Sequence, residues 1–157
     1  GAKALNELVV DTWGASGPAI LHQTGRRDYE LVKRQVSRTD YRVIAETDRF
    51  GAAVTACDLV LARSGSAVWE IAAAGRAAIL VPYPFATGDH QALNAQHFVR
   101  AGGAILVREL ELDRVPDLVR SLLDDRPRLK MMGEAMLRAA KPGAADEIAD
   151  ELLALVR

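Results

Sequence analysis

Two short apolar runs, at 59–62 and 78–81, most constrain what this chain can fold into. Each is too short for a helix, and each gives way to small and polar residues that open a helical pattern. The stretch from Leu59 to Asn94 therefore reads strand, Gly/Ser turn, helix, strand, long turn, helix. Strands alternating with helices imply parallel pairing and a ligand crevice at the strands' carboxyl ends. Arg63, Ser64, Gly65 and Ser66 follow the first strand, and Tyr83 to Gln91 follow the second. Polar groups thus gather where such a sheet binds things.

The rest of the chain follows the same alternation. Leu5, Leu8, Val9 and Trp13 form a helical stripe over 2–13. Pro18 introduces a short buried strand, Ala19-Ile20-Leu21, which ends in His22-Gln23-Thr24-Gly25. An exposed helix is expected over 28–36, a strand over 41–45 and a short helix over 50–56. Beyond the organising unit, a helix over 90–101 closes at Gly102-Gly103, and 104–107 is a fifth strand. Three helices, at 113–123, 126–140 and 144–156, finish the chain, with Lys141-Pro142-Gly143 separating the last two.

The expected fold is α/β, a Rossmann-like doubly wound parallel sheet. It is a single domain over 1–157 with a helical tail from about 113. A sheet of this class opens on a strand, whereas Gly1-Ala2 leads straight into a helix. The expectation is that the first strand and its Gly-rich turn are lacking, and that these residues are part of a larger protein.

Totals exclude several function classes. With 157 residues, 50% hydrophobic and 26% charged, the chain suits one soluble domain with a proper core. A formal net charge of −1 provides no general field for nucleic acid. The lone Cys57 excludes an internal disulfide and a multi-Cys metal site, and reads as a buried, inert thiol. His22, His90 and His97 show no metal-binding spacing, and the chain has neither a GxSxG elbow nor a Walker sequence. No metal and no cofactor are expected. No apolar run approaches the roughly 20 residues of a membrane span, and no signal peptide is evident, so a cytoplasmic location is expected.

Three features of the crevice carry chemistry. The Ser64-Gly65-Ser66 turn lets the backbone approach a ligand at the positive end of the following helix, which suits a diphosphate. A tight turn with Ser66 as N-cap, binding nothing, accounts for it equally well. Glu70 lies four residues after Ser66, on the same helix face, at a spacing that a capping box does not use. It is placed either to accept both hydroxyls of a ribose or to sit solvated near a helix dipole. Asp89 opens the next helix as a reasonable N-cap, leaving His90, Gln91 and Asn94 as donors and acceptors suited to sugar hydroxyls. The polar run Thr87-Gly88-Asp89 is expected to order on ligand binding. His22-Gln23 either reaches the crevice or is structural.

Taken together, RSGSAVWEIAAAG, VPYPFATGDHQALNA, RAGGAILV and ILHQTG resemble the carboxyl-terminal half of the MurG family, with order and spacing kept over nearly the whole chain. Members of that family are bacterial glycosyltransferases that add GlcNAc to lipid I in peptidoglycan synthesis. The resemblance implies the two-domain GT-B architecture, in which this half binds UDP-GlcNAc as a substrate. The other half binds lipid I, meets the cytoplasmic face of the inner membrane peripherally, and carries the groups that assist proton removal. No catalytic residue is then expected in this fragment, which alone would be inactive.

Carried over residue by residue, the resemblance gives Glu70 the ribose diol. It gives Ser64, Gly65, Ser66, Ala67 and Val68 the diphosphate and ribose, through backbone groups. His90 and Gln91 would read GlcNAc hydroxyls with Asn94 behind them, and Thr47 matches a position whose backbone contacts uracil. Two stretches depart from the family pattern. Ser64 to Glu70 is one residue shorter than usual, and Glu46-Thr47-Asp48-Arg49-Phe50 replaces a Phe-Ile-Asp-like segment. Other classes remain: a donor-binding subunit of a split glycosyltransferase, half of a UDP-GlcNAc epimerase, or a non-catalytic Rossmann-like module. The epimerase would need more carboxylates in the cleft than Glu70 and Asp89.

Overall fold

A computed structural model describes residues 2–141 and 143–155. The expectations at Gly1, Pro142 and Val156 lie outside the described residues. The chain runs α1 (Lys3–Trp13), β1 (Ile20–Gln23), α2 (Tyr29–Gln35), β2 (Tyr41–Ile44), α3 (Phe50–Thr55), β3 (Leu59–Ala62), α4 (Ala67–Ala73) and β4 (Ala77–Leu80). A 3₁₀ turn, Thr87–Asp89, leads into α5 (His90–Arg100), followed by β5 (Ala104–Leu106). A second 3₁₀ segment, Glu109–Arg114, precedes α6 (Val115–Asp124), α7 (Arg126–Ala139) and α8 (Ala144–Leu155).

All the strand pairs are parallel. They form two hydrogen-bonded sheets, β1-β2 and β3-β4-β5. The layered α/β architecture expected from the sequence is present, but its strands are divided between two ladders. β4 begins one residue earlier than the apolar run predicts. Val81 still lies fully buried past its end, with its N–H donating to Ala62 O at 2.9 Å.

β4 is central, and its side chains alternate between two cores. Ala77, Ile79 and Val81 pack with Leu5, Val107, Val115, Val119, Leu122, Leu129 and Met132. Ala78 and Leu80 pack with Val54, Val68, Ile71, Ala72, Ala95, Phe98 and Met136. Helices therefore cover both faces of the three-stranded sheet, and α7 supplies residues to each core. Alanines in β4 allow that close approach, most tightly where Gly133 of α7 meets the turn before β4: a Cβ there would lie 2.3 Å from Gly75 O.

α1 ties the two sheets together. Leu5 enters the core beside β4, while the neighbouring Asn6 bonds to β1 and the residue after it: His22 Nε2 at 2.9 Å and Thr24 O at 3.0 Å. The helical tail is present, although it opens as 3₁₀ at Glu109 rather than as α-helix near 113. Pro116 then occupies the first turn of α6, where its missing N–H has no consequence. Among the described residues, no helix is long and apolar enough to cross a membrane.

Candidate functional site

The carboxyl ends of β3 and β4 meet as the parallel topology requires. Ser64, two residues past β3, is fully buried; its Oγ donates to Gln91 O at 2.7 Å. Asn94 Nδ2 donates back to Ser64 O at 3.0 Å. These two bonds fasten the first turn of α5 to the turn before α4. Gln91 is fixed further by the Tyr83 N–H, which donates to its Oε1 at 2.9 Å. A donor can face only the amide oxygen, so Gln91 Nε2 is the end that faces Gly65, 3.9 Å from where a Cβ on that glycine would lie. The bare Gly65 backbone therefore faces the Gln91 amide, and a Cβ there would make no more than ordinary van der Waals contact with it.

Ser64, Gly65, Gln91 and Asn94 are therefore brought together. Ser64 and Asn94 spend polar atoms on each other and on backbone, so Ser64's hydroxyl is structural and only its main chain borders the turn. Val68 is buried in the core and likewise contributes only backbone. Ser66 is already helical, at φ −56° and ψ −32°, and its side chain makes no cap bond. The N-cap reading of Ser66 fails, because a residue in the αR region no longer directs its hydroxyl back at the first-turn amides. The first bonds of α4 run from Val68 N–H to Gly65 O and from Trp69 N–H to Ser66 O. The amides before Val68 sit at the helix's open, positive end.

Glu70 is exposed on α4, one turn beyond Ser66. His90 begins α5 and is also exposed. Asp89 occupies the N-cap position of α5 but makes no side-chain cap bond: the 3₁₀ turn runs straight into the helix, leaving Asp89 left-handed at φ 52° after Gly88 at φ 61°. Asp tolerates that region better than most residues. Thr47 lies beyond the end of β2, where its Oγ1 accepts from Arg49 N–H at 3.0 Å, a local turn. No described contact joins Thr47 to the Gly65–Gln91 gap.

His22 does not serve the crevice. It is 8% exposed, with Nδ1 2.8 Å from Tyr41 Oη and Nε2 2.9 Å from Asn6 Oδ1. Burial pushes its pKa down to about 4 and that of Tyr41 up to about 12. Gln23 is exposed. Cys57 is half-buried rather than buried; its thiol donates to Ala53 O at 3.2 Å, and burial raises its pKa, in keeping with an inert thiol.

Sequence reasoning placed Arg63 at the strand end without giving it a role. Its Nη1 donates to Val81 O and Pro82 O, both at 3.3 Å, and its Nη2 pairs with Glu109 Oε2. The guanidinium carbon lies 5.4 Å from the Tyr83 ring centroid. Glu109 carried no signal of its own, since its partner is 46 residues away in the chain. Among the described residues, no three His, Cys, Asp or Glu side chains are grouped to hold a metal.

Known proteins resemble this chain in sequence and in fold. Residues 1–148 match the glycosyltransferase family 28 C-terminal domain. The chain is 39% identical over 166 residues to the UDP-N-acetylglucosamine--N-acetylmuramyl-(pentapeptide) pyrophosphoryl-undecaprenol N-acetylglucosamine transferase of Nitratidesulfovibrio vulgaris (strain DP4); the match covers 100% of this chain and 46% of that protein. It is 36% identical over 163 residues to the Chlorobium limicola protein of the same name, covering 100% of this chain and 45% of the relative. The crystal structure of MurG from Acinetobacter baumannii superposes with a TM-score of 0.82 at 28% identity, over 96% of this chain and 46% of that one. The chain spans about half the length of these relatives, and its resemblance to the carboxyl-terminal half of MurG is borne out. This chain belongs to the glycosyltransferase family 28 C-terminal domain family.

Proposed function

We propose that this chain is the donor-binding part of an inverting glycosyltransferase that moves GlcNAc from UDP-GlcNAc to lipid I, making lipid II for peptidoglycan. The observation that carries the reading is the junction at the sheet's carboxyl edge. Ser64 and Asn94 clamp the α4 turn to α5, with Gln91 facing Gly65 across the gap. The family assignment and the relatives' names supply the substrate class.

In this reading Glu70 accepts the ribose diol, and the backbone of Ser64, Gly65, Ser66, Ala67 and Val68 borders the diphosphate. His90 and Gln91 read the GlcNAc hydroxyls, Asn94 braces them, and Thr47 meets uracil through its main chain. The acceptor hydroxyl attacks the anomeric carbon as the bond to UDP breaks, giving a β-linked product. Its proton passes to a base, and negative charge collects on the leaving diphosphate. Amides at the start of α4 stabilise that charge without a metal. The general base, the lipid I site and the peripheral membrane contact belong to the remainder of a longer polypeptide. A further parallel strand pairing with both β1 and β3 would join the two ladders into one sheet. Leu21 is 39% exposed and all of β3 is only half-buried, whereas β4 is fully buried.

Calorimetry with two ligands tests the roles. Glu70→Ala should weaken UDP and UDP-GlcNAc alike, by about 10- to 100-fold for two lost charge-assisted bonds. Gln91→Ala should weaken UDP-GlcNAc about 10-fold and leave UDP unchanged. Equal losses for both ligands in both variants would overturn the assignment.

A further inference from the structure

We infer that Arg63 and Glu109 are positioning residues that set donor-sugar recognition through one peptide plane. This rests on the donor-binding reading above and extends it to residues that touch no part of the proposed ligand. The Pro82 carbonyl and the Tyr83 N–H belong to the same trans peptide, so they point in opposite directions from a rigid plane. Arg63 Nη1 donates to that carbonyl at 3.3 Å, and the N–H on the far side donates to Gln91 Oε1 at 2.9 Å. Fixing one end of the plane fixes the other. With Oε1 engaged, the Gln91 amide presents only its two N–H donors towards Gly65 and the sugar side of the gap.

The guanidinium is held so that it can do this. Its side chain is 14% exposed and braced by the Glu109 carboxylate, the Val81 carbonyl and the Tyr83 ring. A planar fork can donate to the β4 exit and to Glu109 at once, which the single ammonium of lysine cannot reproduce. The sequence brings Arg63 from the end of β3, Pro82 and Tyr83 from just past β4, and Glu109 from the 3₁₀ segment after β5. One side chain therefore gathers three strand ends and passes their register to Gln91.

The test is a double-mutant cycle on the 157-residue chain, read by calorimetry with UDP-GlcNAc and with UDP, each variant first checked by thermal melting. Arg63→Met should weaken UDP-GlcNAc about 10-fold and UDP by less than about 2-fold, with Arg63→Lys intermediate. In a Gln91→Met background, Arg63→Met should cause no further loss of UDP-GlcNAc, because the residue through which it acts is gone. Should Arg63→Met fail to fold, Glu109→Gln carries the same test at smaller amplitude. Parallel loss of both ligands, or additive losses in the double variant, overturns the inference while leaving donor binding in place. Wild-type chain that binds neither ligand overturns the donor reading and this inference with it.

Discussion

Asn6 has two amide hydrogens and one carbonyl oxygen, and all three are engaged. Nδ2 donates to Thr24 O at 3.0 Å and to Asp28 Oδ2 at 2.9 Å, so Oδ1 must accept from His22. His22 is therefore protonated on Nε2, and its bare Nδ1 accepts from the Tyr41 hydroxyl. A second proton, on Nδ1, would force the Tyr41 hydroxyl to give up donating to the ring and accept instead. This agrees with a pKa lowered by burial from 6.5 to about 4. Between those values the unfolded chain binds a proton that the folded chain refuses, so stability is complete above 6.5 and is lost as pH falls towards 4. Denaturant titrations should show wild type losing roughly 2 kcal/mol more than His22→Gln between pH 7 and 4. Equal losses would show that His22 titrates normally. The sequence left His22 between two roles because its partners lie 16 and 19 residues away. Glu70 was legible as a candidate because helical spacing alone places it over Ser66.

The elements themselves were largely readable. Short apolar runs bounded by Gly, Pro and polar residues gave five strands, and the period of the intervening stretches gave the helices. What escaped was tertiary. The 3₁₀ segment Glu109–Arg114 has no apolar period, and it is tied down by Arg63 and by the Arg108 N–H bond to Glu111 Oε2. The close contact of α7 with the turn after α4 was equally hidden, since a glycine in a helix signals only weakness until its neighbour is known. Gly133→Ala should cost about 2 to 4 kcal/mol, because its Cβ would meet a backbone carbonyl that cannot move cheaply. Gly51→Ala in α3 meets nothing within 4 Å and should gain about 0.5 kcal/mol from helix propensity. Chemical denaturation of both variants checks the contrast, and an equally mild Gly133→Ala would mean that the two segments lie further apart.

At the scale of the whole molecule, two parallel ladders share α1, and among the described residues β1 and β3 are each paired on one side only. Extending the chain with the preceding stretch of the Nitratidesulfovibrio vulgaris relative should pair those two strand edges, raising the melting temperature by about 5 °C or more. An unchanged melt would show that the added stretch does not pair with β1 and β3. Donor binding should also be indifferent to chelator and to added magnesium, since the proposed site gives the diphosphate to helix amides rather than to a cation. A strict metal requirement in calorimetry would contradict this. The most direct measurement is the response of backbone amide NMR signals as UDP-GlcNAc is titrated in. The account predicts shifts concentrated in 64–70 and 83–94, the two segments joined by Ser64, Gln91 and Asn94. Shifts confined to the opposite edge, around Asp58, Arg76 and Lys130, would contradict it.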